Sequence, residues 1–369
     1  MKLTVSTAKF QEMLSKASRG ASNNRLLPIT TYVVIELKNN TLTLMTTDGT
    51  NYLYVADADV QGDDFYVCVE TDTIVKLVSK ITSDDITFEL FDSYLEVKAN
   101  GHYKLPLQID DSTGKGGIVI SSPLEDFRDS MSQIGRLTVS DIKTILNGLK
   151  SSVATTLEIP CYAHYYFGEH VIATDTVIAS AYDKSLLGVG ETPRLVNVNM
   201  VNLLDVMSTD VDIYANDTKM MFKSDDCVIF GTMPQGIENY AIDALNNLFN
   251  QQYSSVCSVS KSALVDALDR IRLFVGKFDD GEILLEFADD GIKISSKMST
   301  GIEIVPYIDK NIQLSTEGTF VAHITIQMLY NRVHSFMSDD VEIEFGLSNV
   351  IKLSDTDVIT VIALIDVSE

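Results

Sequence analysis

Tryptophan is missing from the 369 residues, proline occurs 7 times and cysteine 4 times, and Lys and Arg together number 28 against 52 Asp and Glu. The cysteines Cys68, Cys161, Cys227 and Cys257 lie far apart, in apolar strand-like runs such as Tyr66-Val67-Cys68-Val69. That spacing excludes a zinc knuckle, a redox pair and a disulfide framework, and predicts buried reduced thiols. No apolar run reaches the length of a membrane span, and Met1-Lys2-Leu3-Thr4-Val5-Ser6 lacks the continuous apolar core of a signal peptide. The expected location is therefore the cytoplasm, with no membrane partner. A net charge of -24 argues against a surface that binds phosphate everywhere, because counterion release needs Lys and Arg.

Chemistry is sparse as well. The seven Asp-Asp pairs, among them Asp84-Asp85, Asp225-Asp226 and Asp289-Asp290, mostly fall where strands must turn. The five histidines (His102, His164, His170, His323 and His334) show neither H-E-x-x-H nor a Cys partner. Gly114-Lys115-Gly116 lacks the Ser or Thr of a phosphate-binding loop and reads as linker. Asp175-Thr176 lacks the Gly and the second copy of an aspartic-protease dyad. No catalytic residue, metal site or cofactor is expected, and the chain reads as non-enzymatic.

What the chain has is self-similarity. Leu3-Thr4-Val5-Ser6, Leu137-Thr138-Val139-Ser140 and Val259-Ser260 each open an amphipathic helix pattern. Each is answered downstream by a matched segment: Ser83-Asp84-Asp85-Ile86, Thr209-Asp210-Val211 and Ser338-Asp339-Asp340-Val341. From the opening serine to the Ile or Val the offsets are 80, 71 and 81 residues. Repetition at so long a period implies one domain written three times, with boundaries at 1–122, 123–252 and 253–369. Helical stripes at i, i+3, i+4 and i+7 recur twice per repeat, as in Phe10, Met13, Leu14, Ala17 and then Ile74, Leu77, Val78, Ile81. A Ser or Thr at each helix start is expected to cap free amides. Alternating β-branched runs such as Tyr32–Leu37 and Thr41–Met45, joined at Lys38-Asn39-Asn40, predict hairpins. The fold class is α+β, each repeat having two helices packed on antiparallel sheets. The polar, Gly-rich Asp110–Gly117 marks the first joint, and Asn246-Asn247 with Asn250-Gln251-Gln252 the second.

Positive charge concentrates on the helices. The six segments 6–20, 71–81, 140–150, 199–208, 260–274 and 323–337 hold 11 of the 28 basic residues and only 6 of the 52 acidic ones. The residues are Lys9, Lys16, Arg19, Lys76, Lys80, Lys143, Lys150, Lys261, Arg270, Arg272 and Arg332. A mildly positive lining within an acidic shell would admit DNA inside and repel it outside, and weak contacts permit sliding. Two other readings fit the composition: an acidic interaction scaffold or DNA mimic that does not encircle DNA, and an enzyme with a carboxylate site among the aspartates.

On these features the chain resembles the bacterial DNA polymerase sliding clamps, the β clamp and its phage relatives. The segments that carry the resemblance are Met1–Val5, Leu27-Pro28-Ile29, Thr47-Asp48-Gly49 and Ala173-Thr174-Asp175, in order across three units. The resemblance implies a head-to-tail homodimer whose six units close a ring around double-stranded DNA with helices lining the hole. It also implies that DNA is bound without regard to sequence, that a DNA polymerase is tethered for processivity, and that an ATP-dependent clamp loader opens the ring. The setting would be a bacterial or phage-infected cell. It places Arg25 at a DNA-contacting loop. It further implies a partner-peptide pocket at Thr174, Thr176, Val177, Ile178, Tyr240, Ile242, Thr360, Ile362 and Leu364. Two departures stand out: the family's Thr-Asp-Gly-His-Arg-Leu reads Thr174-Asp175-Thr176-Val177-Ile178-Ala179, and the proline expected shortly before Tyr240 is absent.

Overall fold

Period-2 hydrophobic alternation becomes antiparallel sheet, as in the hairpin of Tyr32–Lys38 with Thr41–Thr47. Its two turn residues both take positive φ, Asn39 at 51° and Asn40 at 61°. That is the tight turn whose twist matches its strands, and Asn tolerates it better than most residues. The computed structural model describes residues 1–24, 26–58, 60–107, 119–182, 192–276, 281–313, 319–346 and 349–366. Arg25, the Asp110–Gly117 linker and the last three residues lie outside them.

The α-helices among the described residues are α1 (Thr7–Ala17), α2 (Thr71–Val78), α3 (Leu124–Arg128), α4 (Val139–Leu149), α5 (Val198–Asn202), α6 (Ile242–Asn250), α7 (Lys261–Ile271) and α8 (Ile326–His334). Each repeat supplies two of the periodic ones: α1 and α2, α4 and α5, α7 and α8. Their apolar stripes are the buried faces, with Phe10, Met13, Leu14 and Ala17 on α1 and Leu264, Ala267, Leu268 and Ile271 on α7.

The chain forms two compact units, Met1–Val139 with Asn199–Met233, and Ser140–Val198 with Pro234–Glu369. In the first, Lys2–Ser6, Asp85–Leu90, Tyr94–Lys98 and His102–Pro106 make a four-stranded sheet in that order. An eight-stranded sheet joins the hairpins of the first repeat to strands of the second, because Asn51–Asp57 pairs with Cys227–Thr232. In the second unit twelve strands are hydrogen-bonded in series, and Ile178–Tyr182 pairs with Val358–Ala363 to join second-repeat to third-repeat strands.

The helix starts depart from the capping expectation. Ser6, Ser260 and Thr325 make no side-chain cap bond. The first helical amide instead donates to the matched downstream segment: Thr7 N to the Asp84 carbonyl at 2.8 Å and Lys261 N to the Asp339 carbonyl at 2.8 Å. In the middle repeat Val139 N donates to Asp210 Oδ1 at 3.3 Å. The repeated Asp segment thus satisfies an amide that the helix cannot serve itself, which explains why both halves of the sequence signature recur together. All four cysteines are buried and free. Burial pushes the Cys227 and Cys257 thiols up to about 12, which makes them poor nucleophiles.

Candidate nucleic-acid interface and partner cleft

The helix cations are less available than their number suggests. Lys16 lies on α1 with its side chain only 17% exposed, 2.7 Å from Asp226 and 3.1 Å from Glu12. Burial is the largest single influence and works against both charges of the Lys16–Asp226 pair, but their hydrogen bond and mutual attraction, with Glu12 beside the lysine and Ser224 and Cys227 beside the aspartate, together outweigh it, raising the lysine pKa and lowering that of Asp226. Arg19 pairs with Asp205 at 3.1 Å, Lys9 with Asp57 at 3.8 Å and Lys76 with Asp72 at 3.5 Å. On and after α7, Arg270 meets both carboxylate oxygens of Glu303, at 2.7 and 3.2 Å. Arg272 pairs with Asp269 at 3.0 Å and lies over the Tyr330 ring. The acids that answer the helices come partly from the strands, so the charge separation along the sequence is only half preserved in space.

Lys80, Lys143 and Lys150 are exposed and form no ion pair among the described residues. In the second unit Lys150 and Lys261 flank a groove of about 580 Å³ together with Tyr330, Asn331 and His334. Lys261 is partly tied down, since its Nζ donates to the Phe336 carbonyl.

Arg332 corrects the sequence reading. Its polar-face position predicted exposure, yet it is fully buried. Nη1 donates to the Gly148 carbonyl and, at 3.1 Å, to Ser335 Oγ, and the guanidinium sits 4.4 Å above the Phe336 ring. Nε and Nη2 are buried without a hydrogen-bond partner among the described residues. Burial lowers its pKa from the usual arginine range, against the pull of Asp355. Arg332 ties α8 to the last turn of α4 and presents nothing to a phosphate.

A second candidate site, of about 220 Å³, lies wholly in the second unit. Thr174, Thr176, Val177 and Ile178 line it as the resemblance implies, joined by Ile159, Tyr162, Leu245, Leu248, Val350, Val361 and Ala363. Tyr240 lies beneath, 4% exposed, packed against the Tyr162 and Tyr166 rings. Its neighbour Ile242 packs on the same cluster. Three expected residues belong elsewhere. Thr360 is fully buried and bonded to Ser180 at 2.8 Å, while Ile362 and Leu364 pack into the third-repeat core. Side chains alternate along Val358–Ala363, so the cleft receives Val361 and Ala363, and a choice one residue off selects the opposite face. Leu245 and Leu248 on α6 are not among the residues that the resemblance implies, although their spacing of three on a helix carries the signal.

The hairpin that forms one wall is built like its counterpart in the first unit. Asp175 Oδ1 accepts from Val177 N and Ile178 N at 2.9 and 2.8 Å, and Thr174 Oγ1 donates to the Ile178 carbonyl. Asp48 Oδ1 accepts from Thr50 N and Asn51 N at 2.9 and 2.7 Å, and Thr47 Oγ1 donates to the Asn51 carbonyl. The third turn residue has φ 97° at Gly49 and φ 85° at Thr176. A β-branched residue in that region is strained by about 1–3 kcal/mol. Thr176→Gly should therefore stabilise the second unit by a net ~1 kcal/mol once glycine's entropy is subtracted, seen as a higher urea midpoint. An unchanged or lower midpoint would show that wall contacts of Thr176 outweigh its strain.

Among the described residues no helix is long and apolar enough to cross a membrane, and no group of three side chains is placed to hold a metal ion.

With its strands paired across repeats and two helices per repeat, the chain has the fold of the DNA polymerase sliding clamps. It aligns over 100% of both chains with DNA polymerase III subunit beta of Borrelia burgdorferi, at TM-score 0.83 and 19% identity. The Bacillus subtilis DNA polymerase sliding clamp gives TM-score 0.82 at 14% identity, again over 100% of each. The Bartonella birtlesii sliding clamp, solved bound to griselimycin, gives 0.81 at 16% over 100% of each. Residues 1–112 match the family described as DNA polymerase III beta subunit, N-terminal domain. Comparison with curated protein sequences gives no match.

Proposed function

We propose that this protein is a processivity factor: two copies close head to tail into a ring around duplex DNA and hold a polymerase there. The observation that carries the reading is the clamp fold along the full chain together with the family match of its first 112 residues. The activity needs no bond-making residue, since confinement near the template raises the effective concentration of the polymerase. DNA, the polymerase, a loader and a second copy are the partners this function requires. Lys80, Lys143 and Lys150, exposed and without an ion pair among the described residues, are the candidates to meet phosphates.

Two unpaired sheet edges support a dimer. The outer edge of His102–Pro106 pairs with no described strand, and the Ile302–Pro306 half of its strand is paired on one side only. Ile302 and Ile304 are 54% and 52% exposed in this half, and Ile308, at the bulge that follows, is 56% exposed. Leu273 (81% exposed) and Phe274 (52%) lie at its start, with Phe274 against Gly301. An exposed apolar edge of this kind is an aggregation hazard unless a specific partner covers it. Closure of such a heterologous contact into a ring suits two copies of three repeats.

The extensive pairing of helix cations with acids favours one other reading, a non-encircling acidic scaffold. Negative-stain electron microscopy separates the two: rings with an open centre support the clamp, and three-lobed monomers at micromolar concentration support the scaffold. Charge reversal at Lys80, Lys143 and Lys150 should reduce the salt slope of DNA association by roughly 0.9 per lysine that met a phosphate. An unchanged slope in a filter-binding titration would remove these residues from the interface.

A further inference from the structure

The cleft beside Thr174–Ala179 is lined without a single charged side chain, and acids stand beside its lining residues along the chain. Glu158 precedes the lining residue Ile159 in the loop on one side. Asp175 sits in the hairpin wall, and Glu238 and Asp243 lie in the turn before α6 and on its first turn. Glu158, Glu238 and Asp243 are exposed. Lys352, the cation nearest along the Val350–Ser354 wall, is paired with Glu344 at 2.8 Å. The acids reach the cluster under the cleft. Burial raises the Tyr166 hydroxyl, and Asp243 and Glu169 raise it further. Burial likewise raises the Cys161 thiol, with a further push from Glu238.

We propose that this cleft selects a short peptide whose apolar side chains fill it and whose flanking residues are lysine or arginine, discriminating against acidic flanks. The inference rests on the cleft being the partner-peptide pocket of the clamp, and adds the charge of the partner. The apolar floor supplies affinity that is indifferent to charge, and the neighbouring carboxylates supply the discrimination. The acids lie at the solvent edge, so their effect is steering and screened attraction, strong at low salt and weak at high salt.

The test uses the intact protein and three dye-labelled peptides with one Leu-Leu-Phe core, flanked by Lys-Lys, Ser-Ser or Glu-Glu, followed by fluorescence anisotropy. The Lys-flanked peptide should bind tightest and the Glu-flanked weakest, each step ~3–10-fold at 0.1 M salt, narrowing at 0.5 M. Glu158→Gln with Asp243→Asn should compress the order while leaving the Ser-flanked peptide unchanged. Equal affinities, or tightest binding by the Glu-flanked peptide, overturn the proposal. Val177→Asp should abolish binding of the Ser-flanked peptide. If that peptide binds and ignores Val177→Asp, or does not bind at all, the pocket reading itself fails and the inference with it.

Discussion

Replacing Leu273 and Ile304 together by aspartate should leave a folded monomer that no longer closes around DNA. Both side chains are more than half exposed in the single chain, at 81% and 52%, so the thermal midpoint of the monomer should hardly move. At a strand-to-strand contact they would lie in the apolar centre. An unpaired carboxylate buried there costs several kcal/mol unless it takes up a proton. Two such groups should weaken the dimer by at least about 10³-fold, since each 1.4 kcal/mol is a factor of ten. Sedimentation velocity reads the result directly. If the double variant sediments as the parent does, the ring is not closed through this edge, and the exposed isoleucines need another explanation.

The second large effect concerns Arg332. Arg332→Ala should destabilise the second unit by about 3–4 kcal/mol, because it empties a core volume and cuts the tie between α8 and the Gly148 carbonyl. Arg332→Met keeps most of that volume and removes a buried charge with two unpartnered nitrogens. Exchanging a buried ion for a well-packed apolar side chain is commonly neutral or stabilising. The methionine variant should therefore match the parent in urea unfolding to within about 1 kcal/mol, and its DNA association should keep the parental salt slope. A methionine variant as unstable as the alanine variant would mean that the hydrogen bond to Gly148, and not volume, is what Arg332 contributes.

Arg332 also marks where sequence reading stops. The helix stripes, the hairpins and the repeat were legible because periodicity is a local property of the chain. A polar-face arginine looks like any solvated cation until a neighbouring helix covers it, and the covering residue, Gly148, lies 184 positions away. The same limit applies to the Lys16–Asp226 pair, 210 residues apart, in which an acid that read as a turn residue neutralises a candidate DNA contact. At the cleft, the Thr174–Ile178 wall was legible from the Ala-Thr-Asp turn. The last strand was not, because alternation fixes two faces and only the sheet partner decides which one looks outward. Pairing of Ala179 with Val361 makes that choice.

The strand pairing across repeats has a consequence for how the molecule opens. Sequence duplication counts three modules, but the backbone hydrogen bonds tie half of the middle one to each neighbour. Native-state hydrogen exchange should accordingly find two cooperative blocks whose borders fall inside the middle repeat, with Cys227–Thr232 exchanging together with Asn51–Asp57 and Ile178–Tyr182 with Val358–Ala363. The unit that was copied and the unit that unfolds are then different objects. The middle repeat cut out on its own would be born with two raw β-edges.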